Sequence, residues 1–361
     1  MTWRNKNINH YAKLVKYKNK NNAIKKAYHQ NLIWPDRFTI FLTLYEFLIK
    51  NILITLFAKL LLRARNENES RKRIKVIDNV YKNFTSKEYN FIWLSSAFYL
   101  LISFVPVIYI VYILNMFVSY IPAFNDFVGK EFQKHFLELI LGRFIPGSQE
   151  YLLNIGSNSS EGFTLKTILP NLILFLSSLY ISSTGYGKLV SSSNYIYEHY
   201  KMGTYWGNKI KGFFLVFVVS IIFWIFATAD IMTEKAILLR HQNNKIWLNE
   251  FVYFIYTTTF FIVLLITLFK LIPSFKLSIK SVYKGALLSA TPTILLVLLF
   301  NSLNKYFNYD KFGGTVGFFF TIAFFINWFV YFVFLGITFN NAYYKNYIST
   351  RTINKRQILF I

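Results

Sequence analysis

Six stretches of the chain carry no charged side chain for eighteen residues or more: 89–125, 167–187, 212–229, 251–269, 285–304 and 312–344. About 20 apolar residues in a helix cross the ~30 Å hydrocarbon layer of a bilayer. A backbone inside that layer finds no water to bond, so runs of this kind cross it as α-helices. A soluble core of similar size has no need of six charge-free runs. The reading is an all-α polytopic membrane bundle with six transmembrane helices, near 92–117, 168–187, 212–230, 251–270, 283–304 and 314–341. At ~1.5 Å per residue the last is about 42 Å long. That exceeds the hydrocarbon thickness, so the helix tilts or protrudes.

The segments between the runs set the orientation. Residues 1–92 carry +13, 185–211 +3, 270–284 +4 and 342–361 +4, whereas 118–169, 230–250 and 305–311 carry −1, 0 and +1. Threaded back and forth, one side holds 31 Lys and Arg and the other 9. Basic flanks stay cytoplasmic, so both termini are expected inside. This divides the chain into a basic cytoplasmic region (1–91), a transmembrane domain (92–342) and a basic cytoplasmic tail (343–361). Residues 1–37 have no apolar core, so a secretory signal peptide is not expected. That arm carries +8, interleaved with Trp3, Tyr11, Tyr17, Tyr28 and Trp34. Such a pattern suits nucleic acid, but anionic headgroups attract it equally, by ~1 kcal/mol per Lys or Arg. Membrane lipid is the partner expected, and no nucleic acid.

Residues 38–62 are apolar but flanked by basic segments on both sides, which argues against a seventh crossing. Trp34-Pro35-Asp36 is a helix start. Thr39, Thr43, Glu46 and Lys50 make a narrow polar stripe, with Glu46 and Lys50 able to pair at i, i+4. The expectation is an amphipathic helix lying in the cytoplasmic interface.

The chain has no cysteine, which excludes disulfides, thiolate metal sites and cysteine nucleophiles. Its five histidines are scattered; no HExxH pair, Gly-x-Ser-x-Gly elbow or Walker-type phosphate loop occurs. The inside face has only seven acidic residues, thin material for a two-metal nuclease. No catalytic residue, metal or cofactor is expected, and the chain is not read as an enzyme. Asp230, at the outer end of 212–230, reads as interfacial. Ion-coupled carriers place ionisable groups near the midplane instead.

Uncharged polar groups are what the spans offer. Candidates for a substrate path are Ser96, Tyr99, Ser103 and Pro106 on the first span, Ser182 and Ser183 on the second, and Asn194 beyond it. Pro292 and Asn301 on the fifth and Asn327 on the sixth complete the set. Hydroxyls and amides serve helix packing equally well, and Asn340 and Asn341 fall under the same two readings. Lys270, Lys276, Lys280 and Lys284 form a cluster suited to anionic headgroups, or serve topology alone.

Several of these residues fall into a pattern. Ser96-Ala97-Phe98-Tyr99 precedes Ser103 and Pro106; Ser182-Ser183-Thr184-Gly185 precedes Asn194-Tyr195-Ile196-Tyr197. Lys270…Pro273, Lys284-Gly285-Ala286 and Phe312-Gly313-Gly314…Trp328…Leu335-Gly336 follow. From about Ile92 to Ala342 this order and spacing resembles the YihY/BrkB family of bacterial inner-membrane proteins, once labelled ribonuclease BN. Two positions depart from it: Thr338 stands where an acidic residue is expected, and Ile337 where alanine is usual. The resemblance implies a six-helix frame in the cytoplasmic membrane of a bacterium. The function expected is transport-like, moving or equilibrating a lipid or other amphiphile. The alternative is a non-transporting scaffold for envelope assembly, with 118–167 as its outer contact. A membrane ribonuclease is the least supported.

Overall fold

A computed structural model describes residues 39–119, 121, 165–240, 246–303 and 315–353. The arm with Trp34-Pro35-Asp36, most of the 118–167 segment and the end of the tail lie outside the described residues. The chain divides into two compact units, Met1–Ile92 and Trp93–Ile361. Among the described residues the structure is all-helical, without a strand.

In the first unit, α1 (Thr39–Glu46), a π-helical stretch (Phe47–Thr55) and α2 (Leu56–Leu61) follow one another without a break. They occupy the segment read as one amphipathic helix. Ile49, Ile54, Ala58 and Leu62 are buried, as are Val76, Val80 and Phe84 of α3 (Glu67–Phe84), spaced four apart on one helical face. Leu44, Phe47, Leu48, Ile52, Leu56 and Leu60 form an exposed apolar row. Lys50 and Glu46 pair at 3.7 Å, as their spacing predicts. Lys50 also lies 4.0 Å from Asp78 and 5.0 Å above the Tyr81 ring. Just before α3 the Arg65 N–H donates to Glu69 Oε2 at 2.7 Å, and Glu67 and Glu69 place negative charge at the positive end of the helix.

The long helices are α4 (Lys87–Ser119), α5 (Leu165–Ile196), α6 (Tyr205–Arg240), α7 (Ile246–Leu271), α8 (Ile279–Leu303) and α9 (Thr315–Tyr347). Five of them, α4 and α6 to α9, contain stretches long and apolar enough to cross a membrane. This is a multi-pass membrane protein. Helix α5, 32 residues long, carries Ser177, Ser178, Ser182, Ser183 and Thr184 among its apolar residues.

Helix α5 packs on α6, α6 on α7, α7 on α8 and α8 on α9, and α5 also touches α9. Small residues make the approaches close. A Cβ at Gly185 would meet the Tyr99 carbonyl oxygen at 2.8 Å, and one at Gly187 the Asn208 carbonyl oxygen at 3.0 Å. Both α4 and α8 continue through their buried prolines, Pro106 and Pro292.

The helices overrun the charge-free segments. Helix α5 passes Lys188 and continues to Ile196, and α6 already includes Lys209 and Lys211. At its other end α6 runs ten residues beyond Asp230, to Arg240. Asp230 is 5% exposed and lies inside α6, not at its end. The charge that ends the apolar run does not end the helix, since an isolated acidic side chain does not stop one.

Candidate functional site

The residues read as a path do not gather in one cleft. Part of the set meets at the seam of α4 and α5. Ser103 is buried, and its Oγ donates to the Tyr99 carbonyl at 2.8 Å and reaches the Ser182 carbonyl oxygen at 3.3 Å. Ser183 Oγ donates to the Tyr180 carbonyl at 2.8 Å. The Ser182 hydroxyl is buried without a hydrogen-bond partner among the described residues. Ser96 and Pro106 are buried on α4, and Pro292 on α8. Asn301 lies near the end of α8, where its Nδ2 donates to Glu250 Oε2 at 3.3 Å. Asn327 is half-buried on α9.

Asn194 belongs to a different construction. Its Oδ1 accepts the Ser274 N–H at 2.9 Å, and its Nδ2 donates to Ser274 Oγ at 2.9 Å and to the Met202 carbonyl at 3.3 Å. Asn208 Nδ2 donates to the same Met202 carbonyl at 3.1 Å and to Ser191 Oγ at 2.8 Å. Lys211 Nζ donates to the Pro273 carbonyl at 2.9 Å, Asn341 Nδ2 to the Ile196 carbonyl at 2.7 Å, and His199 Nδ1 lies 2.7 Å from Thr352 Oγ1. Together these bonds tie the end of α5, the 197–204 loop, the α7–α8 linker and the segment after α9 into one polar knot. Gly203 permits the loop its turn: its φ is +82°, and a Cβ there would run into the Asn208 amide.

The α8–α9 seam is close. Asn340 Oδ1 accepts the Gly285 N–H at 2.8 Å while its Nδ2 donates to the Val282 carbonyl at 3.0 Å. Ser289 Oγ lies 2.7 Å from the Phe332 carbonyl oxygen and 3.0 Å from the Gly285 carbonyl oxygen, its one proton shared between them. Thr338, at the position where the resemblance leads one to expect an acid, is fully buried, and its Oγ1 donates to the Phe334 carbonyl at 2.7 Å. A hydroxyl satisfies itself on its own helix here, as a carboxylate could not.

Lys270, Lys276 and Lys280 are exposed, and Lys284 Nζ sits 3.6 Å from the centre of the Tyr343 ring. Asp230 lines a cavity of about 20 Å³ between α6 and α7, with Phe223, Phe226, Tyr253, Tyr256 and Thr257 among its neighbours, room for a single water.

Two features were not anticipated from sequence. The first is a set of polar residues on the exposed face of α5, interleaved with the exposed Leu176 and Ile181. Ser177, Tyr180 and Lys188 are exposed and Thr184 is half-buried, at the three- and four-residue spacing that aligns side chains along a helix. The second is Lys209, a lysine buried on α6 beneath aromatic rings. A signal for it exists: the lysine falls one turn after Tyr205-Trp206, just before an apolar run begins.

A family model described as virulence factor BrkB matches residues 80–357, well over half of the chain. No curated protein and no solved structure matches.

Proposed function

The chain belongs to the BrkB family, and from that premise we propose a six-span protein of a bacterial cytoplasmic membrane, both termini inside, that lets lipid headgroups pass between leaflets. The sixth crossing is α5. The flank after α4 carries −1 and the one before α6 carries +3; a return crossing between them keeps the basic flank inside. The apolar row on α1, the π-helical stretch and α2 suits burial in the inner headgroup layer.

The exposed polar residues of α5 carry the proposal. Most membrane helices turn apolar side chains to lipid, and polar groups within the hydrocarbon are costly. Hydroxyls on the inner part of that face, from Ser177 to Thr184, lower that cost where a headgroup enters or leaves the inner leaflet. No ionisable group at the midplane is needed for such passive exchange.

The test is translocation of fluorescent phospholipid in proteoliposomes, read with an impermeant quencher. The full-length protein is expected to expose inner-leaflet lipid that protein-free vesicles keep protected. Ser177→Leu/Thr184→Leu is expected to slow this about fivefold, the kinetic worth of ~1 kcal/mol. Asn301→Leu and Asn327→Leu, on other helices, are expected to leave the rate unchanged. Slowing by the asparagine variants alone would move the path away from α5.

A second reading, a non-transporting scaffold, is favoured by the interlocked α8–α9 seam. Absence of translocation in both neutral and anionic vesicles would select it.

A further inference from the structure

Lys209 is 6% exposed. Its Nζ lies 2.9 Å from the centre of the Tyr180 ring, over the ring face, and 5.6 Å from the rings of Tyr205 and Trp206. Among the described residues no acceptor meets it in hydrogen-bond geometry, and the Tyr180 hydroxyl is the polar group it interacts with. Lys211, two positions on, shows the ordinary solution, donating to the Pro273 carbonyl at 2.9 Å. Aromatic faces offset part of the cost of burying an ammonium, but they supply no counter-charge.

The rings over Lys209 are themselves at the surface: Tyr180 is 56% exposed, Tyr205 58% and Trp206 64%. Exposed Trp and Tyr at the end of an apolar helix mark the headgroup level. Helix α6 also begins here. Thr204 Oγ1 caps the Gly207 N–H at 3.2 Å, and the Thr204 carbonyl accepts the Asn208 N–H at 2.9 Å. The N–H groups of Tyr205 and Trp206 precede that first intrahelical bond and lie at the positive end of the helix. Deeper along the same helix, Ile210, Phe213 and Phe214 are exposed. The sequence of surfaces is amphiphilic: cation and helix start above, apolar side chains one and two turns below.

We propose that Lys209 and the first turn of α6 bind the phosphate of an anionic lipid in the inner leaflet. The headgroup draws the ammonium off the Tyr180 ring and meets the free N–H end of α6, while the acyl chains lie along Ile210, Phe213 and Phe214. This rests on the lipid-handling reading above and places a holding site beside that face of α5, since Tyr180 belongs to both. It is separate from the exposed lysines at the α7–α8 turn.

The test is native mass spectrometry of the full-length protein in mild detergent, titrated with phosphatidylglycerol, phosphatidylcholine or inorganic phosphate. Phosphatidylglycerol is expected to be retained in preference to phosphatidylcholine. Lys209→Gln is expected to cut that retention about tenfold, equivalent to ~1.4 kcal/mol, while Lys209→Arg and Lys280→Gln keep it. Equal retention by Lys209→Gln overturns the site. Displacement of the lipid by millimolar inorganic phosphate overturns the lipid as its occupant. Where Lys209→Gln does not fold, Trp206 emission gives a second readout, referenced to Trp206→Phe. Chain-brominated phosphatidylglycerol is expected to quench it more than brominated phosphatidylcholine, and equal quenching overturns the site. Lys209-dependent retention without translocation in vesicles would remove the translocation reading and leave the site standing. Intact translocation without selective retention would do the reverse.

Discussion

Gly336→Ala is expected to destabilise the detergent-solubilised protein by ~3 kcal/mol, the upper range for forcing atoms into a packed interior. The added Cβ would lie against Ser289 Oγ, 2.5 Å from the Gly285 carbonyl oxygen and 2.9 Å from the Phe269 ring. None of these neighbours yields easily. The carbonyl is backbone of the facing helix, and Ser289 is held by its bonds to the Gly285 and Phe332 carbonyls. The crowding is reciprocal, because a Cβ on Gly285 would meet the Gly336 carbonyl and lie 2.5 Å from the Asn340 amide carbon. To relieve it the helices must separate, and separation breaks the Asn340 bonds to Gly285 and Val282. Unfolding followed by circular dichroism in mixed micelles measures the change. A shift below ~0.5 kcal/mol, the scale of a neutral surface substitution, would contradict this packing.

Asn194→Ala is expected to loosen the polar knot and cost ~2 kcal/mol, because it leaves partly buried donors and acceptors without their partner. The Ser274 N–H loses its acceptor and the Ser274 hydroxyl a donor, while Met202 keeps the bond from Asn208. The loss should concentrate in the α7–α8 linker. Hydrogen exchange at 272–276 is the direct measurement, with faster exchange expected there and little change in α8. Asn194→Asp retains the acceptor for the Ser274 N–H and loses the donor, so an intermediate effect is expected. If exchange in the linker is unaltered, Lys211 and the segment after α9 hold it without Asn194.

The long helices were legible because burial in lipid leaves a one-dimensional record: charge disappears for the length of a crossing. Their ends were not legible by the same rule. Lys188, Lys209 and Lys211 interrupt the apolar runs without interrupting the helices, since lysine is a good helix former. Lys209 and Lys211 were counted as loop charge, although a four-carbon stem lets an ammonium start on a helix and finish inside. Asp230 likewise ends an apolar run without ending α6, which continues to Arg240. Asn194 stood out in sequence, but its partner Ser274 is eighty residues away, a distance that periodicity does not bridge. Asn340 was read as a cleft residue or a packing residue, and the choice between them depended on Gly285 facing it. The exposed polar residues of α5 were not legible in the sequence, because which side of a helix meets lipid is decided by its neighbours.

The α8–α9 seam also bears on motion. The contacts between Ser289 and Phe332 and from Gly285 and Val282 to Asn340 lie at two heights along the pair. Sliding one helix past the other by a turn, ~5.4 Å, would carry Gly336 away from Gly285 and set larger side chains against the glycine backbone. The pair cannot act as a piston. Any rearrangement that admits a lipid must either carry α8 and α9 together as one rigid body or take place among the other helices.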